Sequence, residues 1–538
     1  MPDSDPPFQH HDIDPAMIPT PRRGNDSKVS LASVSTAFDG ANQDGASESA
    51  GLSGAAPSPE PLNTGWSFFN RLAVAVCWFL VLGFVVFSLA TPYVASPPTG
   101  EVQDQPLGMS DQIEAVYFLG MKYFPGMQES QVQELYEDAA AESTGTYNQR
   151  LGDVIIAGEL AGVEEAEKKL DALQQQVESS NYEPTQNEVQ TEQALRRLYR
   201  DYADEAWDGP SLSSEDRQRI TESLGWLGQL ALEPEQRATS ERQSLENGAK
   251  NFAMFLVFAL LFGVAAFGLG AVIGFLAVVM ASMGYLRSSL KPQTGHGHIY
   301  METFVVWLIG FIGISFVISL LVPPAYSLMA NAVGFPASLT ALLWPWLRGV
   351  SCREICDELG ITLRKFWLEP FAGLLGYIAG FPLLVLSGVF MIILMGLFGE
   401  QPSVDNFEPV YEPSHPINDT VAEGGVGIYF WVALMTCVMA PLVEEIIFRG
   451  VLYRHLRDMT ARSRILISTL ASASISGFIF AAIHPQGIFV VPVLGTLGFI
   501  FAVVREWRGS LVAPMVMHAI HNSMITVMLV ILMTMTSS

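Results

Sequence analysis

The chain has 538 residues, of which 50% are hydrophobic and only 15% are charged, with a mean hydropathy of +0.31. Soluble domains carry about 25% charged residues, so an ordinary water-soluble fold is excluded and a polytopic membrane protein is indicated. The formal net charge of -25 is concentrated in the N-terminal tail, in 99–249 and in 399–424, and such an acidic balance argues against nucleic acid as a partner.

Residues 1–65 are rich in Asp, Ser, Pro, Gly and Ala without apolar periodicity, and are predicted to form a disordered tail. The first apolar span starts near Phe68, too far in for a cleavable signal peptide. A membrane-crossing helix needs about 20 apolar residues, and 66–94 supplies the first. Residues 95–249 follow, with apolar positions at helical spacing such as Val163, Ala166, Leu170 and Leu173. Breakers at Gly209-Pro210 and Pro234 divide this stretch into helical hairpins. Further crossings are predicted at 251–286, 304–322, 327–347, 371–397, 429–443, 465–483, 488–504 and 511–533, about nine in all. The run 251–286 is read as one long tilted helix, with a hinge near Gly268 as the alternative. The Pro-broken segment 327–347 is the weakest crossing.

Cys77 and Cys437 lie in apolar spans and behave as small hydrophobes. Cys352 and Cys356 have no second Cys pair nearby, so no zinc site is expected there.

Short-loop Lys and Arg set orientation. Arg287 and Lys291, Arg348, Arg353, Arg364 and Lys365, Arg454, Arg457, Arg462 and Arg464, and Arg505 and Arg508 all fall on one side if 327–347 crosses. That side is assigned to the cytoplasm, with the N-terminus. The expected fold is an all-α polytopic membrane helix bundle with an inserted extracytoplasmic helical domain. Its parts are the tail 1–65, a first transmembrane helix 66–94, the helical domain 95–249, accessory helices 250–365 and a core 366–534. The expected setting is the plasma (inner) membrane, in contact with lipid.

Polar clusters interrupt the last apolar runs. Glu444 and Glu445 sit within Val438–Arg449, and intramembrane ionisable residues are functional-site hypotheses by default. Glu445 and Arg449 are i, i+4, the spacing of a structural ion pair. Glu444 points about 100° away with no cation at helical spacing, which suits a general base for water. His484 ends the next run. Alone it reads as an interfacial residue, with Phe480 one turn back as a wall against water. His518 and Asn522, also i, i+4, share one face and could hold a metal or stabilise an oxyanion. His521 lies off that face and reads as a packing residue. The chain has no His-Glu-x-x-His, P-loop or Gly-x-Ser-x-Gly motif.

The set Glu444-Glu445-x-x-x-Arg449, Phe480-x-x-x-His484 and His518-x-x-x-Asn522 resembles the three motifs of the CPBP family, the CAAX protease and bacteriocin-processing family, also called type II CAAX prenyl endopeptidase or Abi family. The resemblance covers roughly 365–533. It implies an intramembrane endopeptidase in which Glu444 and His484 activate water and His518 and Asn522 stabilise the oxyanion. Glu445, Arg449 and Phe480 are supporting residues. It favours a mechanism without a metal. A zinc ion held by Glu444, His484 and His518 is the alternative. The implied partner is a peptide or protein substrate, lipidated in the classical members. The competing reading is a non-proteolytic scaffold or bacteriocin-immunity protein, in which the same polar groups only staple helices together.

Overall fold

The computed structural model describes residues 67–94, 104–139, 143–204, 211–235, 239–290, 295–362, 366–399, 406–408 and 424–536. The N-terminal tail, Lys291, Arg364, Lys365 and most of the acidic connection 399–424 lie outside the described residues. Among the described residues there is no strand, and nine helices are long and apolar enough to cross a membrane. The protein is an integral, multi-pass, all-helical membrane protein.

Helix α1 is Phe68–Val94. Six helices follow before the second span: α2 Met109–Lys122, α3 Glu129–Ala139, α4 Tyr147–Ala161, α5 Val163–Ser179, α6 Gln186–Ala203 and α7 Ser214–Leu232. Their amphipathic faces meet in one core that includes Leu151, Ile155, Leu170, Leu195 and Leu227. Their starts are encoded locally. Thr146 accepts the N–H of Gln149, and Gln149 reaches back to the N–H of Thr146. Thr185 and Glu188 repeat this reciprocal cap.

Helix α8, Ser240–Ser282, runs unbroken for 43 residues, so the hinge near Gly268 does not occur. Its first turns bury Leu245, Ala249 and Phe252 in the core of the preceding helices. Further along it exposes Phe258, Leu261 and Phe262, as a lipid-facing helix does. The remaining helices are α9 Gly297–Leu321, α10 Pro324–Leu347, α11 Cys352–Leu359, α12 Glu369–Phe398, α13 Val426–Met459, α14 Ile465–Ala482, α15 Val491–Arg508 and α16 Val512–Thr536.

Sequence reading ends the sixth span at Val443, but α13 continues through the Glu pair to Met459. Beyond Glu444, charges in this stretch are tolerated because they are paired. Glu445 meets Arg449 at 2.8 Å, Arg454 meets Asp458 at 3.0 Å, and Arg457 meets Glu506 of α15 at 2.9 Å. Helix α13 is also wound as π-helix over Met435–Met439 and Glu445–Leu452. Helices α14 and α15 touch backbone to backbone. A Cβ on Gly477 would lie 2.5 Å from the Gly495 carbonyl oxygen, so only glycine fits.

One contact ties the connection between α12 and α13 to the helical domain. Phe407, in the connection between α12 and α13, is buried in the core of α2–α7. The Arg150 guanidinium lies 3.8 Å from its ring centroid and donates to the Asn406 carbonyl at 2.7 Å. Tyr182 stacks on the same ring at 4.2 Å. The spans α8, α9, α10 and α12 lie between the helical domain and Phe407. An even number of crossings returns the chain to the same side, so the contact requires α10 to cross.

Candidate active site

The site forms where α13, α14, α15 and α16 meet. Glu445 is fully buried, and its Oε1 accepts from Arg449 at 2.8 Å and from His518 Nδ1 at 2.9 Å. A carboxylate only accepts, so Nδ1 carries a proton and Nε2 is the ring atom left for chemistry. Nε2 lies 3.7 Å from Glu444 Oε2. That separation is longer than a hydrogen bond, and Glu444 Oε2 has no hydrogen-bond partner within the protein. The Glu444 side chain is 15% exposed, against 0% for Glu445. Of the adjacent carboxylates, Glu445 is fully buried and bonded through Oε1 to two neighbours, while the Glu444 side chain keeps partial exposure.

Arg449 is buried without a second carboxylate. Its guanidinium lies 4.4 Å from the Phe480 ring centroid and 5.1 Å from that of Phe501, so aromatic faces supply the remaining stabilisation. Phe480 is shared widely. It packs edge-on against His518 at 6.0 Å and Phe448 at 5.1 Å, and lies 4.5 Å from the His484 ring. His484 Nδ1 donates to the Phe480 carbonyl at the end of α14. Glu444, Glu445, Arg449, Phe480, His484 and His518 are thus linked through one aromatic ring and one imidazole. Asn522 Nδ2 donates to the Thr436 carbonyl of α13 at 2.8 Å. His521 lies apart from this set and pairs with Tyr377 of α12 at 3.1 Å.

Among the described residues, no three His, Cys, Asp or Glu side chains are grouped so that they could hold a metal ion.

Sequence reading missed three features. Glu445 holds His518 as well as Arg449. Thr436 receives Asn522. Buried His455 accepts from Trp78 Nε1 of α1 at 3.2 Å and donates to the Gly297 carbonyl at 2.7 Å, which fastens the first helix to the core. The first and third pairings cross long sequence separations, and no local signal marks them. The second had one, the proline five residues after Thr436.

Residues 426–524 match the family described as Type II CAAX prenyl endopeptidase Rce1-like. The match contains the whole cluster from Glu444 to Asn522. Through this segment the chain is similar to the CAAX protease family. A relative from Staphylococcus aureus (strain USA300), the membrane-embedded CAAX protease MroQ, is 26% identical over 170 residues. The aligned region covers 32% of this chain and 62% of that relative's length. No solved structure matches the chain. The matched segment begins with α13. The helical domain, α1 and α8–α12 precede it.

Proposed function

We propose that the chain is an intramembrane endopeptidase whose general base is Glu444. The observation that carries this reading is the asymmetry of the pair: the Glu444 side chain keeps partial exposure, with Oε2 3.7 Å from His518 Nε2, while Glu445 is fully buried and holds both Arg449 and His518. A water between substrate and Glu444 would give its proton to the carboxylate and attack the scissile carbonyl carbon. The proton would then pass to the departing amine as the C–N bond breaks. His484 would share in holding the water. Asn522 would donate to the oxygen that becomes negatively charged, and His518, with Nδ1–H held by Glu445, would donate from Nε2 as the imidazolium. Arg449 balances the charge of Glu445 and takes no part in proton transfer.

The substrate is a peptide or protein segment reaching the bilayer, with lipidated C-terminal segments as the first class to test. The proposed setting is the plasma (inner) membrane, with the basic loops and N-terminus in the cytoplasm. In purified protein, Glu444→Gln should reduce cleavage of a prenylated test peptide by orders of magnitude while its thermal midpoint in detergent stays close to wild type. Unchanged cleavage would sink the assignment and leave the scaffold or immunity reading. A mechanism without metal further expects far less than one zinc per chain and cleavage that survives chelation. Stoichiometric zinc, with activity removed by chelator and restored by zinc, would instead make Glu444, His484 and His518 ligands.

A further inference from the structure

A π turn moves each backbone hydrogen bond one residue further along the chain. In α13 the shift is visible at Ala440, whose N–H donates to the carbonyl of Met435 rather than that of Thr436. In that register the Thr436 carbonyl would pair with the N–H of residue 441. Residue 441 is a buried proline, which has no N–H. The Thr436 carbonyl is left without a backbone donor inside a membrane helix, where unsatisfied backbone is strongly disfavoured. Asn522 Nδ2 takes the missing place at 2.8 Å. Thr436 Oγ1 lies 3.2 Å from Thr526 Oγ1. Asn522 and Thr526 are successive turns on the face of α16 that also bears His518. The polar face is therefore fastened to α13 at two levels, and the tether at Asn522 exists because of a proline on the opposite helix.

We propose that Pro441 is a positioning residue. By denying Thr436 a backbone partner, it fixes the Asn522 amide against α13, one turn from His518, with its second N–H free for substrate. This rests on the hydrolytic role given to Asn522 above. Glu444 lies three residues beyond Pro441, so the same turn also sets the rotational position of the base.

The effect on stability should oppose the effect on activity. Pro441→Ala restores an N–H and removes a helix-interior proline, so the thermal midpoint in detergent should rise. With its carbonyl anchor satisfied by the helix itself, Asn522 loses its fixed position. Then kcat should fall by about tenfold or more, with KM little changed, because an oxyanion donor acts mainly in the transition state. Pro441→Gly supplies the same N–H without strengthening the helix, and should lower kcat likewise. A substrate-free measurement separates this proposal from the function it rests on. Asn522→Ala should lower the midpoint of the wild-type protein clearly, but have little effect in the Pro441→Ala background. Additive midpoint shifts, unfolding of both Pro441 variants, or wild-type kcat in either would overturn it. If the midpoints show the coupling but Glu444→Gln cleaves normally, the positioning stands and the catalytic assignment falls.

Discussion

Glu445 is bonded on one oxygen to both a guanidinium and an imidazole, and that changes what its loss should do. The helical spacing to Arg449 alone predicts a stability defect. The contact to His518 Nδ1, which spans a sequence separation of 73, adds a catalytic one. Glu445→Gln should therefore lower stability by about 3 kcal/mol, the scale of a buried pair with one partner removed. It should also reduce cleavage, because a neutral amide oxygen holds His518 Nδ1–H more weakly than the carboxylate does. Chemical denaturation in detergent and peptide cleavage on the same preparation read both effects. A stability loss with wild-type turnover would return Glu445 to a purely structural role. A different residue gives a pH signature outside the membrane. Burial raises the Asp153 carboxyl of α4 to about 7, opposed by Ser143 and Lys169 and reinforced by Glu114 and Asp111. Its folded value exceeds its ordinary 3.8, so the protonated form favours the fold. Its contribution should be full below about pH 4, fall as pH rises to about 7, and be absent above. Asp153→Asn should remove that slope from the thermal midpoint. An identical slope in the variant would show that other groups carry it. At this scale local pairs such as Glu445 and Arg449 are legible in the sequence. Partners brought from another helix, such as His518 for Glu445, are not.

The spans were legible because about 20 apolar residues leave a bilayer-crossing helix few alternatives. Their winding was not. A period of 3.6 residues was assumed throughout α13, and neither the two π turns nor the extension to Met459 follows from it. The extension depends on ion pairs with residues such as Glu506, which hydropathy scores only as charges. The junction of α14 and α15 carries its own prediction. Gly477→Ala places a methyl group against backbone at Gly495 and Gly498, which cannot move aside as a side chain can. The helices must separate, at a cost of about 1–3 kcal/mol. Phe480 on α14 and Phe501 on α15 both face the Arg449 guanidinium, so the site should widen with them. Cleavage should fall along with the thermal midpoint. Ser476→Ala, which removes a bond to the Phe448 carbonyl without adding bulk, should have a milder effect on both. A Gly477→Ala protein with wild-type midpoint and activity would show that the junction is looser than its backbone spacing implies.

At the scale of the whole molecule, the basic loops gave an expected orientation, but no sequence signal placed Phe407. Its surroundings read as an acidic connection, and one aromatic in such a loop gives no hint of a partner such as Arg150, at a separation of 256 from Asn406. In intact cells, a cysteine at Asp201 should react with an impermeant thiol reagent, and one at Arg457 should be protected. Reaction at Arg457 would reverse the assigned orientation. Phe407→Ala should make the α12–α13 connection more susceptible to added protease, while leaving the nine spans inserted. A further consequence lies in α8. Its 43 residues make a rod of roughly 65 Å at 1.5 Å per residue, rooted in the helical domain and continuous into the bundle. A rod transmits angle as well as position. One residue inserted after Lys250 would turn the domain by about 100° about the rod, like a clock hand moved several hours. Phe407 holds that hand at a second point, so the dial has one permitted hour. The insertion should expose the connection to protease as fully as Phe407→Ala does, and the two changes together should be no worse than either alone.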